Sequence, residues 1–128
     1  MAWQFRNDIP IYTQLIAQIQ QKIVSGALLP GERLPSVRDL ASEAGVNPNT
    51  MQRALMEMER EELVYSQRTA GRFVTEDSQR ICKLRESLAR NQVKDFLEGM
   101  YQLGFQLDEI TTFVRLEGEK GTYEHSGM

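Results

Sequence analysis

Residues 45–50, Gly-Val-Asn-Pro-Asn-Thr, lie between two short segments whose apolar residues recur at helical spacing. No other stretch constrains the chain as much. Gly45 supplies the left-handed conformation in which helices commonly end. Asn47 can cap a new helix, and Pro48 suits its first position, where a backbone N–H has no intrahelical partner to lose. One helix must stop here, turn sharply and give way to another. Before the junction, Ser36 opens VRDLASEA, and Asp39 completes an approximate capping box. Val37, Leu40, Ala41 and Ala44 form its short apolar face.

The helix after the junction is expected from Pro48 to about Glu62. At about 100° per residue, Met51, Ala54, Leu55, Met58 and Glu62 share one side. The first four read as core. Asn49, Gln52, Arg53, Met56 and Arg60 lie opposite, and acids collect only later, in EMEREE. The end that could face a polyanion is therefore the N-terminal one. Arg60, deep among the acids, is left out of the candidate site.

The flanks complete a unit. Residues 10–24, PIYTQLIAQIQQKIV, begin with proline and repeat Ile11, Leu15, Ile19 and Ile23 every fourth position, as an amphipathic helix does. After the junction helix, LVYSQ reads as a strand, RTAG as a turn and RFV as a second strand. Arg68 and Arg72 flank the turn glycine, Gly71. From about Ser78 to Leu103 a long helical pattern carries Ile81, Leu84, Leu88, Phe96, Leu97, Met100 and Leu103 on its apolar side, and Gly104 ends it. A last helix starts with Asp108 and Glu109 in its first turn, and Leu107, Ile110, Phe113 and Val114 are its apolar residues. GEKGTYEHSGM, from Gly118 onward, reads as a disordered tail.

Composition removes other function classes. With one cysteine, Cys82, and one histidine, His125, the 128 residues offer no internal disulfide, Cys/His metal cluster or Cys-His nucleophile pair. There is no phosphate-cradling glycine loop, and paired acids such as Glu61 and Glu62 fall in a helical charge run. No catalytic residue, cofactor or metal is expected. No apolar run approaches the roughly 18 residues of a membrane span, and the start of the chain lacks a signal-peptide pattern. The lone cysteine suits the reducing cytoplasm. The formal net charge of −3 argues, as an average, against nucleic acid, so the distribution of charge has to decide.

Helix, glycine-containing turn and polar-faced helix make a helix-turn-helix; a preceding helix and a following hairpin make it winged. Entry of its tip into a major groove requires side chains with bidentate geometry. Asn and Gln suit adenine, and Arg suits guanine. Asn49, Gln52 and Arg53 meet that demand. Ser36 opens a helix whose free N–H groups could hold a phosphate, and Arg38 lies just inside it. Arg38 could instead pair with Asp39 or Glu43, Asn47 is a cap before it is a contact, and Thr50 could simply satisfy the backbone.

PIYTQL, SGALLPGERLPSVRDLASEAGVNPNTMQRAL and ELVYSQRTAGRFV together resemble the GntR family of bacterial transcription regulators, over residues 10–74 almost without gaps. VNPNT and the short C-terminal extension resemble its YtrA-type subfamily. The resemblance implies a homodimeric DNA-binding repressor. It places Arg38 at the arginine of the LPSxRxLA motif. It sets Asn47, Pro48, Asn49 and Thr50 in the first turn of the recognition helix, with Gln52 and Arg53 on its polar face and Gly71 and Arg72 at the wing tip. The chain departs from the family pattern at Gln52, where many relatives carry Arg, and at Ala70, often polar or basic elsewhere.

The expected architecture is mainly α with a small β-hairpin. A winged helix-turn-helix domain spans 1–77, with the helix-turn-helix over about 36–62 and the wing over about 63–75. A two-helix dimerisation region spans 78–117 and a tail 118–128. Larger GntR relatives append a metabolite-sensing domain; this chain has too few residues after Val74 for one. An exposed apolar helix of this length would leave a patch that monomers avoid, so Leu84, Leu88, Phe96, Leu97, Met100 and Leu103 are expected to meet a second copy. The expected function is a sequence-specific regulator that represses from a pseudo-palindromic double-stranded operator as a homodimer. The alternative is a winged-helix protein-interaction module that does not bind DNA.

Overall fold

A computed structural model of the chain describes residues 2–120. Its elements, in order, are α1 (Ile11–Ser25), α2 (Val37–Ala44), α3 (Pro48–Arg60), β1 (Val64–Gln67), β2 (Gly71–Val74), α4 (Ser78–Gln102) and α5 (Leu107–Glu119). Every element expected from the sequence is present. The chain divides into two compact units, Met1–Glu86 and Ser87–Met128.

The first unit is built around α3. Met51, Ala54, Leu55 and Met58 are almost wholly removed from water. They meet Leu15, Ile19 and Ile23 of α1 and Leu40 and Ala41 of α2 in one core. The alternating demands of the sequence are visible at each boundary. Gly26 (φ +85°) ends α1 and Gly45 (φ +72°) ends α2, both in the left-handed region that a Cβ disfavours. The helix expected to reach Glu62 stops at Arg60, because Glu62 itself turns left-handed at φ +61° and feeds Leu63 into the core.

β1 and β2 pair antiparallel, with Val64 opposite Val74 and Gln67 opposite Gly71. The turn between them places Thr69 at φ +67°, an uncommon conformation for a β-branched residue. A third segment joins this wing: Leu34 N–H donates to Arg72 C=O (2.8 Å) and Val74 N–H to Glu32 C=O (2.9 Å). The residues before α1 also pack onto the unit. Trp3 and Phe5 stack at 6.3 Å and lie against the core, and Lys22 sits 4.6 Å from the Trp3 ring centre. Gln14 straps this segment down by donating to Arg6 C=O and Ile9 C=O.

The start of α4 belongs to the first unit. Ile81 is buried in its core and Leu84 is half-buried against it. The unit thus extends to Glu86, past the boundary expected at 77.

The second unit contains the rest of α4 and α5. Among its described residues Ile110 is buried, and Phe105 and Phe113 meet edge to face at 5.0 Å. Gln106 N–H donates to Glu109 Oε1 (3.0 Å), which tethers the start of α5. Gly118 and Glu119 continue α5 instead of opening a tail; residues 121–128, His125 among them, lie outside the described residues. Among the described residues, no helix is long and apolar enough to cross a membrane.

Candidate nucleic-acid interface

The site is assembled from three places in the chain: the start of α2, the first half of α3, and the wing. Each start is fixed by a side-chain cap. Ser36 Oγ accepts from Asp39 N–H at 3.1 Å, and Asn47 Oδ1 accepts from Asn49 N–H at 2.7 Å. Both α2 and α3 therefore begin at defined residues, with part of their first-turn N–H deficit satisfied.

Ser36, Arg38, Asn47, Pro48, Asn49, Arg53, Arg68 and Gly71 are all exposed, whereas Thr50, Gln52 and Arg72 are half-buried. Pinning α3 by its apolar stripe turns Asn49, Gln52 and Arg53 outward. Arg53 does not hang free: its guanidinium lies 4.4 Å over the ring of Tyr12 from α1. That stacking holds a long side chain on the outer face at an exposed site, an interaction worth about 0.5–1 kcal/mol.

The wing is tied to the same helix. Arg72 of β2 donates Nε–H to Glu59 Oε1 and Nη1–H to Gln52 Oε1, each at 3.3 Å. The Ser66 hydroxyl of β1 also donates to Glu59 Oε1. At the wing tip, a Cβ on Gly71 would stand 3.1 Å from Arg33 Nε, and Gly71 has φ +109°. The backbone angle favours glycine there, and a Cβ would also push the Arg33 side chain aside. Arg68 projects from the turn.

Glu59 stays beside this face, paired with Arg72, whereas the acids that follow it lie at the far end of α3. At the far end of α3, Arg60 donates to both carboxylate oxygens of Glu57, at 3.0 and 2.6 Å. The Arg60 guanidinium holds the Glu57 carboxyl below its ordinary range and is itself shifted up by it. Burial pushes the neighbouring Glu61 carboxyl up, its hydrogen bond to Glu57 adds to the shift, and the Gln20 amide opposes it.

Three further residues shape these segments, and no motif in the sequence marks them. Tyr12 is one residue of the first helical stretch, with nothing local to set it apart. Glu59 was one acid in a run, and Arg33 preceded the LPS turn without a motif of its own. Only the long-range pairing of wing, α1 and α3 gives these residues their positions.

The fold and this face define a winged helix-turn-helix protein: three helices, a hairpin wing and an outward polar start to the third helix. Residues 11–74 match the model of the family described as "Bacterial regulatory proteins, gntR family". The chain belongs to the GntR family of transcription regulators, and it is not an enzyme.

It is 38% identical to the uncharacterized HTH-type transcriptional regulator YhcF of Bacillus subtilis, over 92% of this chain and 98% of YhcF. It is 30% identical to the HTH-type transcriptional repressor YtrA of the same organism, over 86% and 85% of the two chains. A GntR family transcriptional regulator from Listeria monocytogenes has a similar structure, with a TM-score of 0.81 and 38% identity over 87% and 97% of the chains. The AraR DNA-binding domain in complex with operator ORX1 matches 59% of this chain and 96% of its own, at a TM-score of 0.53 and 26% identity.

The Asn47 cap is testable in the free protein. Asn47→Ala should lower the unfolding free energy by about 1 kcal/mol, and Asn47→Ser should restore most of it. Denaturant unfolding of the three chains, read by circular dichroism, checks the order.

Proposed function

We propose that the chain is a cytoplasmic repressor that binds a pseudo-palindromic operator as a homodimer, with α3 in the major groove. The observation that carries this reading is the division of α3. One stripe is sealed in the core, and the opposite side of its first half presents Asn49, Gln52 and Arg53 to solvent. Those side chains have the donor and acceptor geometry that base edges require.

Ser36 and Arg38 at the start of α2, and Arg68 and Gly71 on the wing, serve the phosphates beside the groove. Asn47, Pro48 and Thr50 set the helix tip against the backbone. The YtrA likeness supports repression, and the operator-bound AraR domain supports operator binding by this fold.

The second unit supports the dimer. Phe96, Leu103, Phe113 and Val114 are 45%, 72%, 44% and 53% exposed. Together with Met100, three of them (Phe96, Phe113 and Val114) border an open apolar groove of about 490 Å³ between the later part of α4 and α5. Isolated chains seldom leave such a surface to water, and a second copy would cover it. Leu88, Leu97 and Met100 are half-buried within the chain, and the interface would complete their burial. Leu84 contributes to the winged core first. A two-fold axis would set two α3 tips about 34 Å apart or a multiple of it, so the operator should be a pseudo-palindrome.

Two measurements check this reading. Phe96→Asp should shift the mass in solution from dimer to monomer, whereas an unchanged mass would remove the groove from the interface. Selection from an operator library should return an inverted repeat for the wild type. On that repeat Arg53→Ala should cost about 1–3 kcal/mol and relax one position per half-site. Unchanged base preference and affinity would remove Arg53 from readout.

A further inference from the structure

The tie between the wing and α3 bears on which base Gln52 can read. A glutamine amide has one oxygen, which accepts, and one NH2, which donates. Adenine in the major groove offers an acceptor and a donor, and the bidentate contact uses both atoms of the amide. Arg72 limits that choice. A guanidinium has donors only, so the amide atom facing Arg72 Nη1 at 3.3 Å is the oxygen, as found.

Arg72 is in turn fixed from behind. Its Nε–H donates to Glu59 Oε1, which the Ser66 hydroxyl also holds, and its side chain is only 19% exposed. Four residues from α3, β1 and β2 thus form one chain of hydrogen bonds, Ser66 and Arg72 to Glu59, then Arg72 to Gln52. The Glu59 carboxylate at its base holds the Arg72 guanidinium beside Gln52. The consequence for Gln52 is an orientation: oxygen turned to the wing, NH2 left for a partner.

We propose that Arg72 acts as a specificity-positioning residue, and that it sets Gln52 to donate to a base presenting an acceptor in the major groove. Guanine, with O6 and N7, and thymine, with O4, are such bases. Adenine is disfavoured: its N7 can accept from the NH2, but its amino group would have to share with Arg72 an oxygen that already accepts from the wing. Gln52 alone suits adenine; Gln52 with Arg72 at its oxygen suits a keto base. Arg72 is then a wing residue that acts through the recognition helix and not primarily on the phosphates. This assignment rests on α3 reading the operator.

The test is base selection by full-length protein from a randomised operator library, for the wild type, Gln52→Ala and Arg72→Met. Gln52→Ala identifies the position that Gln52 reads, as the one where preference is lost. At that position the wild type should select guanine or thymine over adenine by about tenfold, the scale of one good base contact. Arg72→Met keeps an unbranched apolar stem without a donor, so adenine should rise to parity or better there while other positions keep their preferences.

Wild-type selection of adenine at that position overturns the assignment, whatever the variants do. So does an Arg72→Met profile identical to the wild type. Failure of the underlying reading looks different: the wild type then enriches no sequence at any position.

Discussion

The structure depends on the burial of one side of α3. Met51, Ala54, Leu55 and Met58 are each at most 1% exposed, and α1 and α2 both close over them. Burying such side chains contributes about 1.5–3 kcal/mol for each of the larger ones. It also fixes the rotation of α3 about its axis. Because the helix repeats every 3.6 residues, that rotation decides which residues remain outside. Asn49, Gln52 and Arg53 are outside because Met51, Ala54 and Leu55 are inside. The same packing that makes the domain stable thereby presents the polar face.

Polar ties then refine what the core has placed. The Tyr12 ring holds the Arg53 guanidinium, and Arg72 joins the wing to Gln52 and Glu59. These contacts cross between elements distant in sequence, so each long side chain loses some of its freedom before any partner arrives. Ordering such a side chain costs about 0.5–1.5 kcal/mol when it happens on binding. A face ordered in advance carries less of that cost. The acids are handled by the same logic: Glu57 and Glu61 are engaged with Arg60 and Gln20 at the far end of α3. A net charge of −3 does not prevent Arg38, Arg53 and Arg68 from standing exposed around the start of α3 and the wing.

Most of the fold was legible because its punctuation is local. Gly26, Gly45, Ser36, Asn47 and Pro48 act within a few residues of where they stand, and the structure puts helix ends at each. The apolar spacing of α3 was equally local. What sequence could not supply is anything set by pairing across the chain. The end of α3 depended on Glu62 turning left-handed to deliver Leu63 to the core. The third segment of the wing and the stacked Trp3 and Phe5 have no periodicity to announce them. Arg72 reads in sequence as a free cation on a hairpin, and only the fold brings Glu59 and Gln52 to it. The apolar stripe of α4 was visible, but its division was not: Ile81 and Leu84 serve the winged core, while Phe96 and Leu103 remain open to solvent.

The polar side of the first half of α3, with the start of α2 and the wing, is the surface we propose meets DNA. A titration of nitrogen-15-labelled protein with a library-selected duplex, followed by amide NMR, addresses it directly. The largest shifts should fall at residues 36–39, 47–53 and 68–72, and they should weaken as salt is raised, because phosphate contacts release counterions. Amides of those segments that stay unmoved while shifts gather on α4 and α5 would contradict the claim.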